Sequence, residues 1–260
     1  MKLCSPHSPM RLVLLALLAA APDAGTPPFV PGEKLLYEVT ALGFGAGMLQ
    51  MQVSPPAPMD GVSTWPIAVD IRSKGAFDQV FPLRDHDATW WDPVTGRAVA
   101  NHLYASEGGH RYEYEMHFHR AVPGPDGGIA VDVDHKEEGK HEAQVRSLDP
   151  DVENFLASIY WLRLRPLTAD EVDEVPVVMG ENRWKLVSKV VGRETIESGA
   201  GSFACVHVRL SVQFSGKMGN KRDLEAWFTD DARHMPVLID SELFIGHLKM
   251  RLAQVSDGGV

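Results

Sequence analysis

Residues 110–120, HRYEYEMHFHR, decide the fold. Tyr112, Tyr114, Met116 and Phe118 share one parity, and Arg111, Glu113, Glu115, His117 and His119 share the other. Successive side chains of a strand point to opposite faces, so this run is a strand with one apolar and one wet face. The same period of two appears upstream. Leu35, Tyr37 and Val39 alternate with Leu36, Glu38 and Thr40; Leu49, Met51 and Val53 alternate with glutamines; Trp65, Ile67, Val69 and Ile71 alternate with Pro66, Ala68, Asp70 and Arg72.

Turn-forming stretches separate these runs: DPVTG at 92–96, EGG at 107–109, PGPDGG at 123–128, ESGAGS at 197–202 and GKMGN at 216–220. Gly43, Gly45 and Gly47 permit a tight turn and a close backbone approach. They are not a dinucleotide loop, because no βαβ unit follows. Links this short join antiparallel neighbours, since a parallel crossover needs about a dozen residues or more. One stretch departs from the period. Residues 149–164, DPDVENFLASIYWLRL, read as a helix with Asp149 as cap, Pro150 in the first turn and a broad apolar stripe from Phe155 to Leu162. A single helical turn is expected near 75–81. The fold class that follows is mostly β: a curved antiparallel sheet, spiralled or half-open like a barrel, around one central helix.

The first 25 residues have a different character. Lys2 and Arg11 precede an unbroken apolar run of ten residues, LVLLALLAAA at 12–21, and Pro22 follows. This is the order of a secretory signal peptide, and the run falls short of the roughly 20 residues that span a membrane. The expected organisation is a signal peptide at 1–25 and a single β-rich domain at 26–260, periplasmic or secreted, with no transmembrane segment in the mature chain. Cys4 leaves with the signal, so Cys205 has no disulfide partner.

The 260-residue chain is 44% hydrophobic, enough for a sizeable core, and carries a net charge of −10. Removal of Lys2, Arg11 and Asp23 with the signal makes it −11. Such a field repels nucleic acid, which is excluded as a partner.

Three stretches, taken in order, resemble the bacterial exported family catalogued as domain of unknown function 3108. They are FVPGEKLLYEV at 29–39 with GFGAGML at 43–49, LDPDVENFLASIYWLRL at 148–164, and AWFTDDARHMPVLI at 226–239. The resemblance implies an extracytoplasmic, curved antiparallel β architecture. It implies no reaction or ligand.

Residue types that carry chemistry are present but dispersed. His117 and His119 lie on one strand face with Glu113 and Glu115, and His102, His110 or His135 could add a ligand from neighbouring strands. A fixed-spacing second ligand pair is missing, so a solvated, mixed-charge face is the reading adopted and no metal is assigned. Asp85, His86 and Asp87 alternate faces. Ser158 lacks a nucleophile elbow. Cys205 and His207 sit in an apolar strand, where a thiol behaves as a small hydrophobe. No catalytic residue and no cofactor is assigned.

The expected function is therefore non-enzymatic. The interior would hold a hydrophobic small molecule, lipid or peptide in a cleft lined by Tyr112, Tyr114, Met116 and Phe118 from the sheet and Phe155, Ile159 and Leu162 from the helix. The alternative is a periplasmic hydrolase with a cryptic His/Asp/Glu site. The signal peptide gives the first test. N-terminal sequencing of exported protein should find a mature terminus between Ala20 and Thr26; full-length protein retained in the cytoplasm would overturn the assignment.

Overall fold

The computed structural model describes residues 27–169, 171–214, 221–242 and 247–257. The expected signal peptide at 1–25 lies outside the described residues. The elements follow in chain order. First come β1 (Lys34–Ala41), β2 (Phe44–Val53), β3 (Ala57–Met59), β4 (Val62–Ser73), a short α1 (Gly75–Val80), β5 (Arg84–Asp92) and β6 (Arg97–Glu107). Next are β7 (His110–Pro123), β8 (Ile129–Glu137), β9 (Lys140–Leu148), β10 (Glu153–Asn154) and α2 (Phe155–Arg163). The remainder is β11 (Val172–Met179), β12 (Asn182–Ser198), β13 (Gly201–Phe214), β14 (Lys221–Thr229), β15 (Pro236–Glu242) and β16 (His247–Ser256).

Alternating burial confirms the strand readings. Leu35, Tyr37 and Val39 are buried in β1, as are Leu49, Met51 and Val53 in β2. Tight hairpins join the neighbours. Leu42 (φ 54°) and Gly43 (φ 81°) both adopt the left-handed region between β1 and β2, as a type I′ turn requires. Gly47 serves a different need: a Cβ there would lie 2.5 Å from the Arg72 carbonyl oxygen on β4. Gly45 meets no such constraint.

The strands form one sheet in the order β10-β11-β12-β13-β14-β15-β16-β1-β2-β4-β5-β6-β7-β8-β9, with β3 beside β4. The chain thus begins in the middle of the sheet and runs outward to β9. It crosses through α2 to the opposite edge and returns until β16 pairs with β1. The long crossover produces a two-residue parallel pair, β10 with β11, in an otherwise antiparallel ladder. The spiralled or half-open barrel expected from the sequence needs correction: the ladder is not closed and not strongly curled. The edges explain this. β10 is too short to template a long partner, and residues 140–145 of β9 are exposed and largely polar, a pattern that blunts an edge.

The central helix begins later than its sequence suggests. Asn154, not Asp149, is the cap, its side-chain oxygen accepting from the Ala157 N–H at 2.9 Å. Asp149 instead caps a turn, accepting from the Asp151 N–H at 2.8 Å. Glu153 and Asn154 pair with β11 as strand before the helix starts. Seven of the nine helical residues are buried, as expected of a helix that is apolar nearly all round. Leu156 and Tyr160 join the core formed by β1, β2 and β4; Trp161 and Leu162 join that of β11 to β14; Ala157 joins that of β6 to β9. One helix therefore links three apolar clusters.

Buried ion pairs fix both ends of α2. Glu153, 1% exposed, accepts from the Ala98 N–H at 3.0 Å and from Arg97 at 3.2 Å, and meets Arg120 at 3.4 Å. At the other end Arg163 donates from Nη1 and Nη2 to the two Glu33 oxygens at 2.6 and 2.9 Å. Both side chains are almost fully buried. Removing one partner of a buried pair strands the other charge, at a cost of about 3–5 kcal/mol. Glu33→Gln should therefore lower stability by about 3 kcal/mol in urea unfolding. Glu174→Gln, in the exposed Lys185–Glu174 pair, should cost about 1 kcal/mol or less. Equal effects of the two changes would refute a dominant role for the buried pair.

Candidate functional site

A surface cleft of about 450 Å³ opens at the C-terminal end of α2. Three turns and the lead-in to β1 build it. Asp92 organises the first turn: its side chain accepts from the Val94 N–H at 2.9 Å and from the Thr95 hydroxyl at 2.7 Å. The Gly96 N–H returns to the Asp92 carbonyl at 2.9 Å. This presents Pro93, Val94, Thr95 and Gly96 along one wall. Asp231 organises the opposite wall, accepting from the Thr229 hydroxyl at 2.7 Å and the Arg233 N–H at 2.9 Å, which leaves Ala232 and His234 facing the cleft. Pro27 and Pro28 contribute from the lead-in, and Leu164, Arg165 and Pro166 from the residues that end the helix.

Beneath the cleft lies an aromatic and ionic floor. Trp91 is 1% exposed and its ring centroid lies 4.9 Å from that of Phe29, which is 4.7 Å from Tyr160. The Arg163 guanidinium lies over both Phe29 and Tyr160, at 4.9 and 5.2 Å. Arg233 reaches the same Glu33 carboxylate at 3.2 Å and pairs with Asp257 at 2.7 Å. His234 Nδ1 lies 3.0 Å from the Arg163 carbonyl oxygen. Glu33, Arg163 and Arg233 come from the three stretches that carry the family resemblance, and they meet here.

Arg165 differs from Arg163. It lines the cleft, its guanidinium stacks over Trp161 at 4.4 Å, and its buried Nε has no hydrogen-bond acceptor. Among the described residues no carboxylate lies within ion-pair distance of it. The cleft therefore combines largely apolar walls with a cation that sits at the negative end of a helix dipole and has Asp173 only at longer range.

The residues expected to line a ligand cleft are distributed over several places. Met116 and Phe118 are buried in the β6–β9 core with Tyr114 packed against it, and Tyr112 is half-buried. Leu162 belongs to the β11–β14 core, and Ile159 packs against the β1–β4 core. Phe155 is 37% exposed beside Trp184. None of these seven lines the 450 Å³ cleft. Its own residues are legible in the sequence only indirectly, through an arginine ending an apolar helix and a glutamate in a proline-rich lead-in.

The other chemical candidates have local partners. His117 lies 2.7 Å from Asp60 and 3.2 Å from Glu115, while His119 lies 2.9 Å from Asp132. Burial alone would lower the His117 pKa, but the two carboxylates outweigh it and raise it. Ser158 is buried and donates to the Phe155 carbonyl at 2.7 Å, within its own helix. Cys205 is buried, and desolvation followed by the nearby Glu194, Asp230 and Asp231 pushes its thiol up to about 11. His207 cannot serve it as a base: its two nitrogens face Glu225 at 2.7 Å and Glu194 at 3.6 Å, and its ring stacks on Trp227. His86 pairs with Asp70 at 3.0 Å, whereas Asp85 accepts from the Ser106 N–H and Asp87 from Asn101.

These features define a mostly antiparallel β protein, one open sheet with one buried helix, with a cleft where that helix ends. The chain belongs to the family described as protein of unknown function (DUF3108), whose model matches residues 36–253. No curated protein matches it. Its fold is similar to the crystal structure of a beta-barrel-like protein of domain of unknown function DUF1849 from Brucella abortus. The TM-score is 0.61 at 7% identity, with 88% of this chain and 98% of that chain covered. Weaker likeness, with a TM-score of 0.38 at 10% identity, extends to a protein described as exported, with a YmcC-like fold, from Bacteroides fragilis. That match covers 88% of this chain and 98% of the other.

Asp87 provides a pH test of the interior. Desolvation raises its pKa to about 6 from 3.8, against the lowering effect of the Asn101 hydrogen bond. A carboxyl whose folded pKa is raised favours the fold when protonated, so its contribution is present below about pH 4 and is lost as pH rises through 6. Asp87→Asn keeps an oxygen for Asn101 and removes that loss. The variant should be more stable than wild type at pH 7, by about 1–3 kcal/mol, and the two should converge near pH 4. A variant less stable at both pH values would contradict this.

Proposed function

We propose that this is a non-enzymatic extracytoplasmic protein that binds a hydrophobic ligand carrying an anionic head, such as an acyl carboxylate, in the cleft at the end of α2. One observation carries the reading: the largely apolar cleft holds Arg165, whose buried Nε has no hydrogen-bond acceptor and within ion-pair distance of which no carboxylate lies among the described residues. Its volume lies within the roughly 300–1,000 Å³ usual for small-molecule sites. Trp91, Leu164 and the prolines offer apolar contact for a chain, and Arg165 offers a charge-assisted contact for the head. The signal-like order of the first 25 residues supports an extracytoplasmic setting. The residues lining the cleft include no carboxylate, and His234 is turned toward the Arg163 carbonyl, so the cleft offers little to a hydrolase.

Titration of a fluorescent fatty acid and of its methyl ester tests the proposal. Wild type should bind both, the acid more tightly. Arg165→Gln should weaken the acid about tenfold or more and leave the ester unchanged, as expected for loss of a charged contact. Ala232→Trp, at the exposed mouth, should weaken both. The reading fails if wild type binds neither compound, or if both variants bind like wild type.

A further inference from the structure

The β8–β9 hairpin places His135 directly opposite Glu142. A second turn reaches the same place from the other half of the sheet: Gly180 and Glu181 connect β11 to β12. A Cβ on Gly180 would meet the Tyr114 ring at 2.8 Å, so this turn rests against that ring. Tyr114 in turn stacks flat on the His135 imidazole, with centroids 4.0 Å apart and planes within 4°. Arg146 of β9 ties the turn down, donating to the carbonyls of Gly180 at 3.0 Å and Glu181 at 3.4 Å. One potential ligand atom from each of His135, Glu142 and Glu181 lies within 4.8 Å of the other two.

We propose that His135, Glu142 and Glu181 form a binding site for one divalent transition-metal ion, zinc by donor type, which clips the β8–β9 hairpin to the β11–β12 turn. An imidazole with two carboxylates suits zinc, whereas magnesium and calcium sites are built from oxygen alone. Donors of a tetrahedral zinc site with bonds of about 2.0 Å stand roughly 3.3 Å apart. Rotation of the two exposed glutamate side chains provides the contraction this needs, while contacts that do not use the ligand atoms hold the backbone. The stack on Tyr114 orients the imidazole, and Glu137 lies 3.7 Å from the same ring. Three protein donors leave a fourth position for water. The ion would also offset repulsion between Glu142 and Glu181, which come from opposite halves of the sheet. The site is separate from the α2 cleft and stands or falls independently of it.

The test uses zinc alone, added to purified chain stripped with a chelator, followed by calorimetry and thermal unfolding. The expected result is one zinc per chain with a Kd of about 10 µM or tighter, together with a rise in Tm on saturation. Glu181→Gln, on an exposed turn, should weaken zinc about tenfold or more and leave the metal-free Tm unchanged. His119→Gln, which removes a separate histidine–carboxylate pair, should leave the titration unchanged, and magnesium should not replace zinc. Absence of saturable binding, or binding equally tight in Glu181→Gln, would overturn the proposal.

Discussion

The pairing of Arg163 with Glu33 sets where the central helix stops and where the first strand starts. Apolar burial draws α2 into the sheet, but it is non-directional and would tolerate a slide or rotation of the helix. A bidentate guanidinium–carboxylate contact in a dry setting does not, because a small displacement leaves both charges without partners. Phe29 and Tyr160 pack around the pair, and Arg233 brings the β14–β15 turn to the same carboxylate. Glu153 acts similarly at the other helix end, toward β6 and β7. The helix is thus fixed at both ends by two carboxylates, Glu33 just before β1 and Glu153, whose partners lie in β6 and β7.

This arrangement explains why a cleft can persist at the end of α2. The helix cannot advance to fill it, because Arg163 is held by Glu33. The turns around it have hydrogen bonds of their own, centred on Asp92 and Asp231. The walls consequently keep their shape largely through their own turns, with His234 also held to the Arg163 carbonyl at the helix end. Arg165, two residues past the ion pair, is left stacked on Trp161 at the cleft, with no carboxylate within ion-pair distance among the described residues.

The sequence makes the faces of the strands legible because alternation is a local property. β1, β2, β4 and β7 all bury the side that their period of two indicates. Helix content is equally clear, but its start is not: Asp149 and Asn154 are both acceptable caps, and the choice depends on the pairing of Glu153 and Asn154 with β11, a tertiary fact. The candidate site is harder still. Trp91, Arg165 and Ala232 come from separate elements, a strand end, the residues after the helix and a turn, and no periodicity relates them. Tyr112, Tyr114, Met116 and Phe118 do share a face, yet the period cannot say what fills the space opposite; Ala157 and Val178 help to fill it. Ladder closure is likewise invisible along the chain, since it depends on what the two outermost strands offer each other.

The strand order also bears on how the molecule can be made. β1 and β16 are neighbours in the middle of the sheet, although they are the first and last strands along the chain among the described residues. A polypeptide emerging N-terminus first can zip β1 to β2 and continue outward to β9, but one side of β1 must wait for nearly the whole chain. Until β16 arrives, that side is an open template for strands of other molecules. Contacts so distant in sequence make for slow completion. The sheet therefore cannot be finished before its last strand is free to pair, wherever the chain folds.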